Sequence, residues 1–141
     1  MTKIKDKNVL ITGGASGIGK IMGRMVLEKG AKSLIIWDVN QQSMQVVADE
    51  FASRGRVYIY EVDITNSQLV AQTYQQIKDE CGGVDILINC AGIVRGNKTF
   101  DQQTEQDIRL TFEVNTIAPM IITKEIRTES LQPMAAHLLA A

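Results

Sequence analysis

Several residue types that mark particular protein classes are scarce in this chain of 141 residues. The two cysteines, Cys81 and Cys90, stand in no metal-ligand spacing, and the chain is not cysteine-dense enough to need a disulfide. The single histidine, His137, has no carboxylate or cysteine close by in sequence, so we expect it to be solvated or loosely packed. The sequence therefore predicts two free thiols and no bound metal.

An excess of charge and long apolar runs are also lacking. The net charge is −1 and the isoelectric point is near 5.8, which does not suggest a nucleic-acid or anionic-membrane partner. No apolar run approaches the roughly 20 residues of a membrane span. Residues 1–7 also lack the apolar core of a signal peptide. We expect a cytoplasmic protein without a membrane span or a nucleic-acid partner.

A strand, a glycine turn and a helix follow one another near the start of the chain. Residues 8–11 are a short apolar run, and Gly13, Gly17 and Gly19 lie in the turn after it. Glycines adopt backbone conformations that a Cβ forbids and let the main chain approach a ligand. The helix that follows would point its free N–H groups at an anion. This order predicts a nucleotide-phosphate site, and a glycine turn without a ligand is the alternative.

The helix after this turn carries apolar residues at a helical spacing. We expect that stripe to pack on a sheet, and it consists of Ile18, Ile21, Met22, Met25 and Val26. Further on, Asn40, Asn66 and Thr104 precede amphipathic stretches and are predicted helix N-caps. The 45% apolar and 22% charged composition is that of one ordinary globular domain.

Two acids follow predicted strands. Asp38 lies nineteen residues beyond Gly19, near the interval at which a strand-end acid meets the adenosine ribose in dinucleotide folds. Its charge would repel a 2′-phosphate and no arginine stands beside it, so the sequence favours NAD over NADP. The alternative is that Asp38 only caps the next turn. Asp63 follows the third strand, and the alternative for it is likewise that it only caps the next turn.

Three motifs resemble those of the short-chain dehydrogenase/reductase family. They are the Thr-Gly-x-x-x-Gly-x-Gly stretch at residues 12–19, Asn89-Cys90-Ala91-Gly92 in place of the family's Asn-Asn-Ala-Gly, and Asn115 with Pro119 after it. The resemblance implies an α/β, Rossmann-like doubly wound parallel sheet in the order 3-2-1-4. It also implies an NAD(P)-dependent oxidoreductase of alcohols and ketones. The implied NAD-binding residues are Gly13, Ser16, Gly17, Ile18, Gly19, Asp38, Asp63, Asn89, Ala91 and Gly92.

Asn115 is the one member of the family's catalytic tetrad that the resemblance assigns. In the family the backbone carbonyl of this residue holds a water that leads to the catalytic lysine. Pro119 has no N–H for the carbonyl four residues back, which belongs to Asn115. The alternative is that Pro119 only kinks the helix and Asn115 bonds locally. The Asn115 side chain also lies on an apolar stripe with Phe112 and must find partners.

The resemblance covers about residues 6–125, which we expect to form the nucleotide-binding domain, with residues 126–141 as a divergent tail. Beyond this point the family carries a serine and a Tyr-x-x-x-Lys pair. We expect none of Tyr58, Tyr60 and Tyr74 to form that pair, so the general acid is predicted to be absent. The tail could be an alternative C-terminus, a frame-shifted end or a truncation.

Two functions stay open at this point. One is NAD-dependent hydride transfer on a small alcohol or ketone, for a full-length form. The other is a non-catalytic nucleotide-binding or interaction protein, which pairs with itself or with full-length relatives through the fourth helix. A methyltransferase that uses S-adenosylmethionine shares the glycine turn but not the features at Asn89, Gly92 and Asn115.

Overall fold

The computed structural model describes residues 3–94 and 99–130, apart from the side chains of Phe100 and of residues 128–130. Four strands alternate with three helices: β1 (Asn8–Thr12), α1 (Gly17–Glu28), β2 (Ser33–Asp38), α2 (Gln41–Phe51), β3 (Arg56–Glu61), α3 (Ser67–Cys81) and β4 (Ile86–Asn89). A 3-10 turn (Phe100–Gln102) then leads to α4 (Glu105–Phe112), a π-helical segment (Glu113–Ile117) and α5 (Ala118–Ser130).

The strands form one parallel sheet in the order β3-β2-β1-β4. This confirms the predicted α/β fold and its strand order. In the centre, β1 pairs with β2 from Asn8 opposite Ser33 to Thr12 opposite Trp37, and with β4 on its other side. Because helices cover both faces of the sheet, all of β1 and most of β2 are buried.

Alternate residues of the strands supply two separate apolar cores. Leu10, Ile35 and Trp37 pack with α3 and α5 on one face of the sheet. Val9, Ile11, Leu34 and Ile36 pack with α1 and α2 on the other face. The carboxyl ends of the strands lie at one edge between these two helical layers.

The predicted buried stripe of α1 is largely wrong. Ile18, Ile21 and Met25 are 71%, 52% and 47% exposed, and Met22 is only partly buried. The buried residues of this helix are Gly19, Gly23, Val26 and Leu27. A Cβ added to Gly23 would lie 3.0 Å from Leu34 Cδ2 on the sheet. The helix therefore approaches the sheet through its glycines, and larger apolar residues turn outward.

The predicted caps of the other helices are confirmed. The Asn40 side chain accepts a hydrogen bond from the Ser43 N–H at 2.8 Å, and the Asn66 side chain accepts one from the Leu69 N–H at 3.0 Å. Thr104 begins α4 with a reciprocal capping box. Each of these side chains satisfies one backbone donor that the first turn of a helix leaves open.

The predicted fourth helix consists of α4, the π-helical segment and α5 in unbroken succession. It continues past residue 125, and Ile126 is buried against the sheet with only 6% exposed. The expected boundary between domain and tail therefore falls inside α5. Residues 131–141, with His137, lie outside the part of the chain that the structure describes.

Candidate nucleotide site

A cavity of about 420 Å³ opens at the carboxyl ends of the strands. It lies beside β1, where the chain leaves one side of the sheet, β2 and β3, and continues on the other side with β4. Such a switch point is the usual ligand position in parallel sheets. Nine of the ten predicted cofactor residues line it: Gly13, Ser16, Gly17, Ile18, Gly19, Asp38, Asp63, Ala91 and Gly92. Asn89 is the one that does not.

The glycine turn is packed too tightly for side chains at two of its positions. A Cβ at Gly13, which has φ +67°, would lie 2.8 Å from the Cα of Ala91. A Cβ at Gly19 would lie 2.2 Å from the carbonyl oxygen of Gly13. The turn is therefore pressed against the loop after β4 and against itself. At Gly17, with φ +49°, the equivalent space is open.

The first turn of α1 differs from those of α2, α3 and α4. Ser16 is the N-cap of α1 but its side chain makes no capping hydrogen bond, and the first turn contains no acid. Residues 16–19 at this helix end line the cavity, and no side-chain acceptor caps them. A helix end of this kind suits a phosphate, because the free N–H groups and the helix dipole both favour negative charge.

Asp38 joins the end of β2 to the glycine turn. Its Oδ2 accepts a hydrogen bond from the Ala15 N–H at 3.1 Å, and its Oδ1 accepts one from the Asn40 N–H at 3.1 Å. The second bond is the turn-starting role that the sequence left as the alternative. Since a carboxylate has about four acceptor positions, these two bonds leave room for ribose hydroxyls.

Asp63 lies on the cavity wall beside Val62 and Ile64. Its Oδ1 accepts hydrogen bonds from the backbone N–H and the hydroxyl of Thr65, at 2.9 and 2.7 Å. The capping role that we considered for this acid is therefore present. Its side chain is nevertheless exposed at the cavity, so the carboxylate keeps acceptor positions for a ligand.

Thr12 is a structural residue of the site to which the sequence assigned no role. Its buried Oγ1 accepts hydrogen bonds from the N–H groups of Cys90 and Ala91, both at 3.1 Å. This hydroxyl links the end of β1 to the loop after β4. Because both donors are backbone groups, the cysteine at position 90 leaves these bonds intact. The available signal was a polar residue at the end of a buried strand.

The two asparagines have different surroundings. Asn89 points toward α5, where its Nδ2 donates to the Thr123 hydroxyl at 3.2 Å. Asn115 lies in the π-helical segment and pairs with Ile93: its Oδ1 accepts from the Ile93 N–H and its Nδ2 donates to the Ile93 carbonyl, both at 2.8 Å. Asn115 thus holds a residue of the cavity wall. The role of its own carbonyl stays a prediction.

One of the three tyrosines does have the spacing of the family's pair. Tyr74 is followed by Lys78, so a Tyr-x-x-x-Lys spacing does occur. The pair belongs to α3, with the Lys78 ammonium 5.2 Å from the Tyr74 ring centre, and neither residue lines the cavity. Tyr74 is buried and its hydroxyl lies 3.5 Å from the Ile126 carbonyl. Its place against α5 identifies it as a core residue.

Comparisons with known proteins agree with this geometry. The model of the short chain dehydrogenase family matches residues 7–136, which is most of the chain. The chain belongs to the short-chain dehydrogenase family. The match includes the glycine turn, the loop after β4 and Asn115, and it runs past residue 125 to residue 136.

Curated relatives and solved structures of this family cover most of the chain. Human short-chain dehydrogenase/reductase 3 is 28% identical over 97% of the chain and 46% of its own length. Human estradiol 17-beta-dehydrogenase 11 is 35% identical over 82% of the chain and 38% of its own length. A short-chain type dehydrogenase/reductase from Mycobacterium marinum superposes with a TM-score of 0.80 at 28% identity, over 88% of the chain and 50% of that structure.

The chain therefore spans about half the length of the short-chain dehydrogenases that it matches. Within residues 3–94 and 99–130, no helix is long and apolar enough to cross a bilayer. The same residues contain no group of three metal-binding side chains, and Cys81 and Cys90 are free thiols.

Proposed function

We propose that this short-chain dehydrogenase chain binds a nicotinamide dinucleotide at the carboxyl edge of the sheet, with NAD preferred over NADP. The observation that carries the proposal is the uncapped first turn of α1, which opens onto the cavity behind a glycine turn. The chain is then the nucleotide-binding half of an oxidoreductase of alcohols and ketones.

The residues of the cavity fit the parts of such a ligand. The N–H groups at the start of α1 and the hydroxyl of Ser16 would hold the pyrophosphate. Asp38 would accept hydrogen bonds from the adenosine ribose. Asp63, on the cavity wall, would accept one from the adenine amino group. Gly92 and Ala91 would approach the second ribose with their backbone. When bound, the nicotinamide ring supplies or accepts the hydride.

The preference for NAD is argued from charge. The carboxylate of Asp38 would face a 2′-phosphate on the adenosine ribose, and two like charges close together disfavour binding. Val39 and Asn40 follow it in the sequence, so no neighbouring arginine or lysine offers the phosphate a partner. NADH and NADPH should be titrated in parallel and followed by nicotinamide fluorescence. Tighter binding of NADPH would contradict the preference, and binding of neither would refute the site.

Turnover by this chain alone is not expected. Hydride transfer to a ketone needs a proton delivered to the developing alkoxide, and loss of a positioned acid costs roughly 10²–10⁴-fold in rate. The three tyrosines are Tyr58, Tyr60 and Tyr74, and none of them lines the cavity. NAD and a panel of secondary alcohols, with a 17β-hydroxysteroid among them, should give no increase in absorbance at 340 nm. Sustained turnover by the purified chain would show that an acid has been missed.

A second candidate function is a non-catalytic protein that pairs through α4 and α5. On this surface Phe112, Ile117 and Met120 are 58%, 43% and 68% exposed, and a recess of about 990 Å³ runs along α4. Exposed apolar side chains grouped on one helix favour a protein partner. A Phe112→Ser variant should lower the mass measured by light scattering if this surface joins two copies. An unchanged mass would remove this surface from consideration.

A further inference from the structure

The indole of Trp37 has an unpaired hydrogen-bond donor. Trp37 is the one tryptophan of the chain and it is fully buried. Its Nε1 has no hydrogen-bond partner, and it is the one buried side-chain nitrogen or oxygen in this condition among the described side chains of residues 3–94 and 99–127. Most buried polar groups in folded proteins have a partner, so an unpaired one calls for an explanation.

The position of Trp37 suggests what the partner is. It is the residue directly before Asp38 at the end of β2, and it contributes to the wall of the same cavity. Val62 and Ile64 lie on that wall and pack with Trp37 in one apolar core. This end of the cavity thus combines apolar side chains and the carboxylate of Asp63 with a tryptophan whose buried indole N–H has no partner.

We propose that the indole N–H of Trp37 helps to hold the base of the bound nucleotide by donating a hydrogen bond to a ring nitrogen of adenine. The inference rests on the proposed function, because it needs a dinucleotide in this cavity. Because the indole is fully covered in the ligand-free chain, the proposal requires a neighbouring side chain to shift when the base binds.

The chemistry of adenine matches this end of the cavity. Asp38 is placed for the adenosine ribose, and the same cavity is lined by Trp37, Val62, Asp63 and Ile64. The base attached to that ribose would therefore lie against these residues. Adenine has flat apolar faces, ring nitrogens that only accept hydrogen bonds, and an amino group that donates. The Val62 and Ile64 side chains suit the faces, the Trp37 N–H suits a ring nitrogen, and Asp63 suits the amino group.

The test replaces the N–H without changing the shape of the side chain. Since the chain has one tryptophan, expression with 3-benzothienylalanine exchanges only position 37 and puts sulfur where the N–H was. Affinity for NAD is then measured by calorimetry. We expect Kd to rise about five- to tenfold, the equivalent of about 1.0–1.4 kcal/mol for one net hydrogen bond. AMP, which keeps the base, should show the same ratio.

Stability without ligand separates this proposal from a structural role. Because the N–H has no partner in the ligand-free chain, its removal should leave the melting temperature unchanged or raise it. Tyr74→Phe is the matched control, since it removes a hydroxyl from the same core but away from the cavity. It should leave Kd for NAD unchanged, and it should lower the melting temperature.

The outcomes decide between the alternatives. An unchanged Kd for NAD and AMP after the replacement overturns the inference while the proposed function stands. An unchanged Kd with a lower melting temperature also overturns the inference, and it assigns the N–H to an internal water or a core contact. Absence of NAD and AMP binding by the unmodified chain overturns the proposed function and the inference together.

Discussion

Alanine at Gly19 should damage both the fold and the nucleotide site. A Cβ at this position would lie 2.2 Å from the carbonyl oxygen of Gly13, 2.9 Å from its carbonyl carbon and 3.1 Å from the Cα of Gly14. All three are backbone atoms, so no side-chain rotation can relieve the contact. Either α1 moves away from the turn or the turn itself changes shape.

The magnitude follows from two opposing effects. Alanine in place of glycine stabilises a helix by about 1 kcal/mol at best. Overpacking in a rigid interior costs typically 1–3 kcal/mol and more when backbone has to move. We therefore expect Gly19→Ala to lower the free energy of unfolding by about 2 kcal/mol, which corresponds to roughly 4–10 °C in melting temperature for a domain of this size.

Nucleotide binding should fall as well, because Gly13 and the first turn of α1 line the same cavity. We expect the Kd for NAD to rise at least about tenfold, the equivalent of 1.4 kcal/mol. Thermal unfolding followed by far-ultraviolet circular dichroism measures the first effect, and calorimetric titration with NAD measures the second.

Gly23→Ala in the same helix is the matched control. There the added Cβ would meet Leu34 Cδ2 at 3.0 Å and Phe51 Cε2 at 3.5 Å, which are ends of side chains that can adjust. The helix gain of about 1 kcal/mol should roughly offset the crowding, and NAD affinity should not change because Gly23 does not line the cavity. A Gly19→Ala protein with the melting temperature and Kd of the parent chain would refute this reasoning.

Three further changes test other parts of the structure. Asp38→Asn removes the charge that faces a 2′-phosphate, so Kd for NADH should rise about tenfold and the ratio of NADPH to NADH affinity should increase; an unchanged ratio in parallel fluorescence titrations would contradict this. Thr12→Val leaves the part-buried N–H groups of Cys90 and Ala91 without their acceptor and should cost about 2 kcal/mol in urea unfolding, whereas Thr12→Ser should cost clearly less; equal losses would refute the role of the hydroxyl. In the described residues β4 pairs only with β1, and its apolar residues are half-buried, so we expect the chain to self-associate at tens of micromolar, roughly the range where uncovered strand edges aggregate; a clean monomer in sedimentation velocity would count against it.

The agreement between sequence and structure is closest where the signal is local. Asn40, Asn66 and Thr104 cap their helices as predicted, because an N-cap depends on one side chain and a backbone N–H three residues away. The turn glycines were identified because positive φ at Gly13 and Gly17 is a property of single residues. The parallel direction of the strands follows from the regular alternation of strand and helix, whereas their order was implied by the family resemblance.

The failures concern distances between elements. Apolar periodicity predicted that Ile18, Ile21 and Met25 face the sheet, but it does not report how closely a helix approaches its neighbour. Because α1 packs closely on the glycine turn at Gly19 and on the sheet at Gly23, those larger side chains face outward instead. The Tyr-x-x-x-Lys spacing at Tyr74 and Lys78 is visible in the sequence, but only the structure shows that the pair lies away from the cavity.

The sequence by itself determined the order of the elements, the glycine turn, the helix caps and the family resemblance, since each depends on residues that are near one another in the chain. Only the tertiary structure decided that Thr12 bonds the loop after β4, that Asn115 holds Ile93 across 22 residues, and that Trp37 keeps an unpaired N–H beside the cavity. Those facts depend on which backbone and side-chain groups meet after the sheet has closed, and no short-range pattern in the chain contains that information.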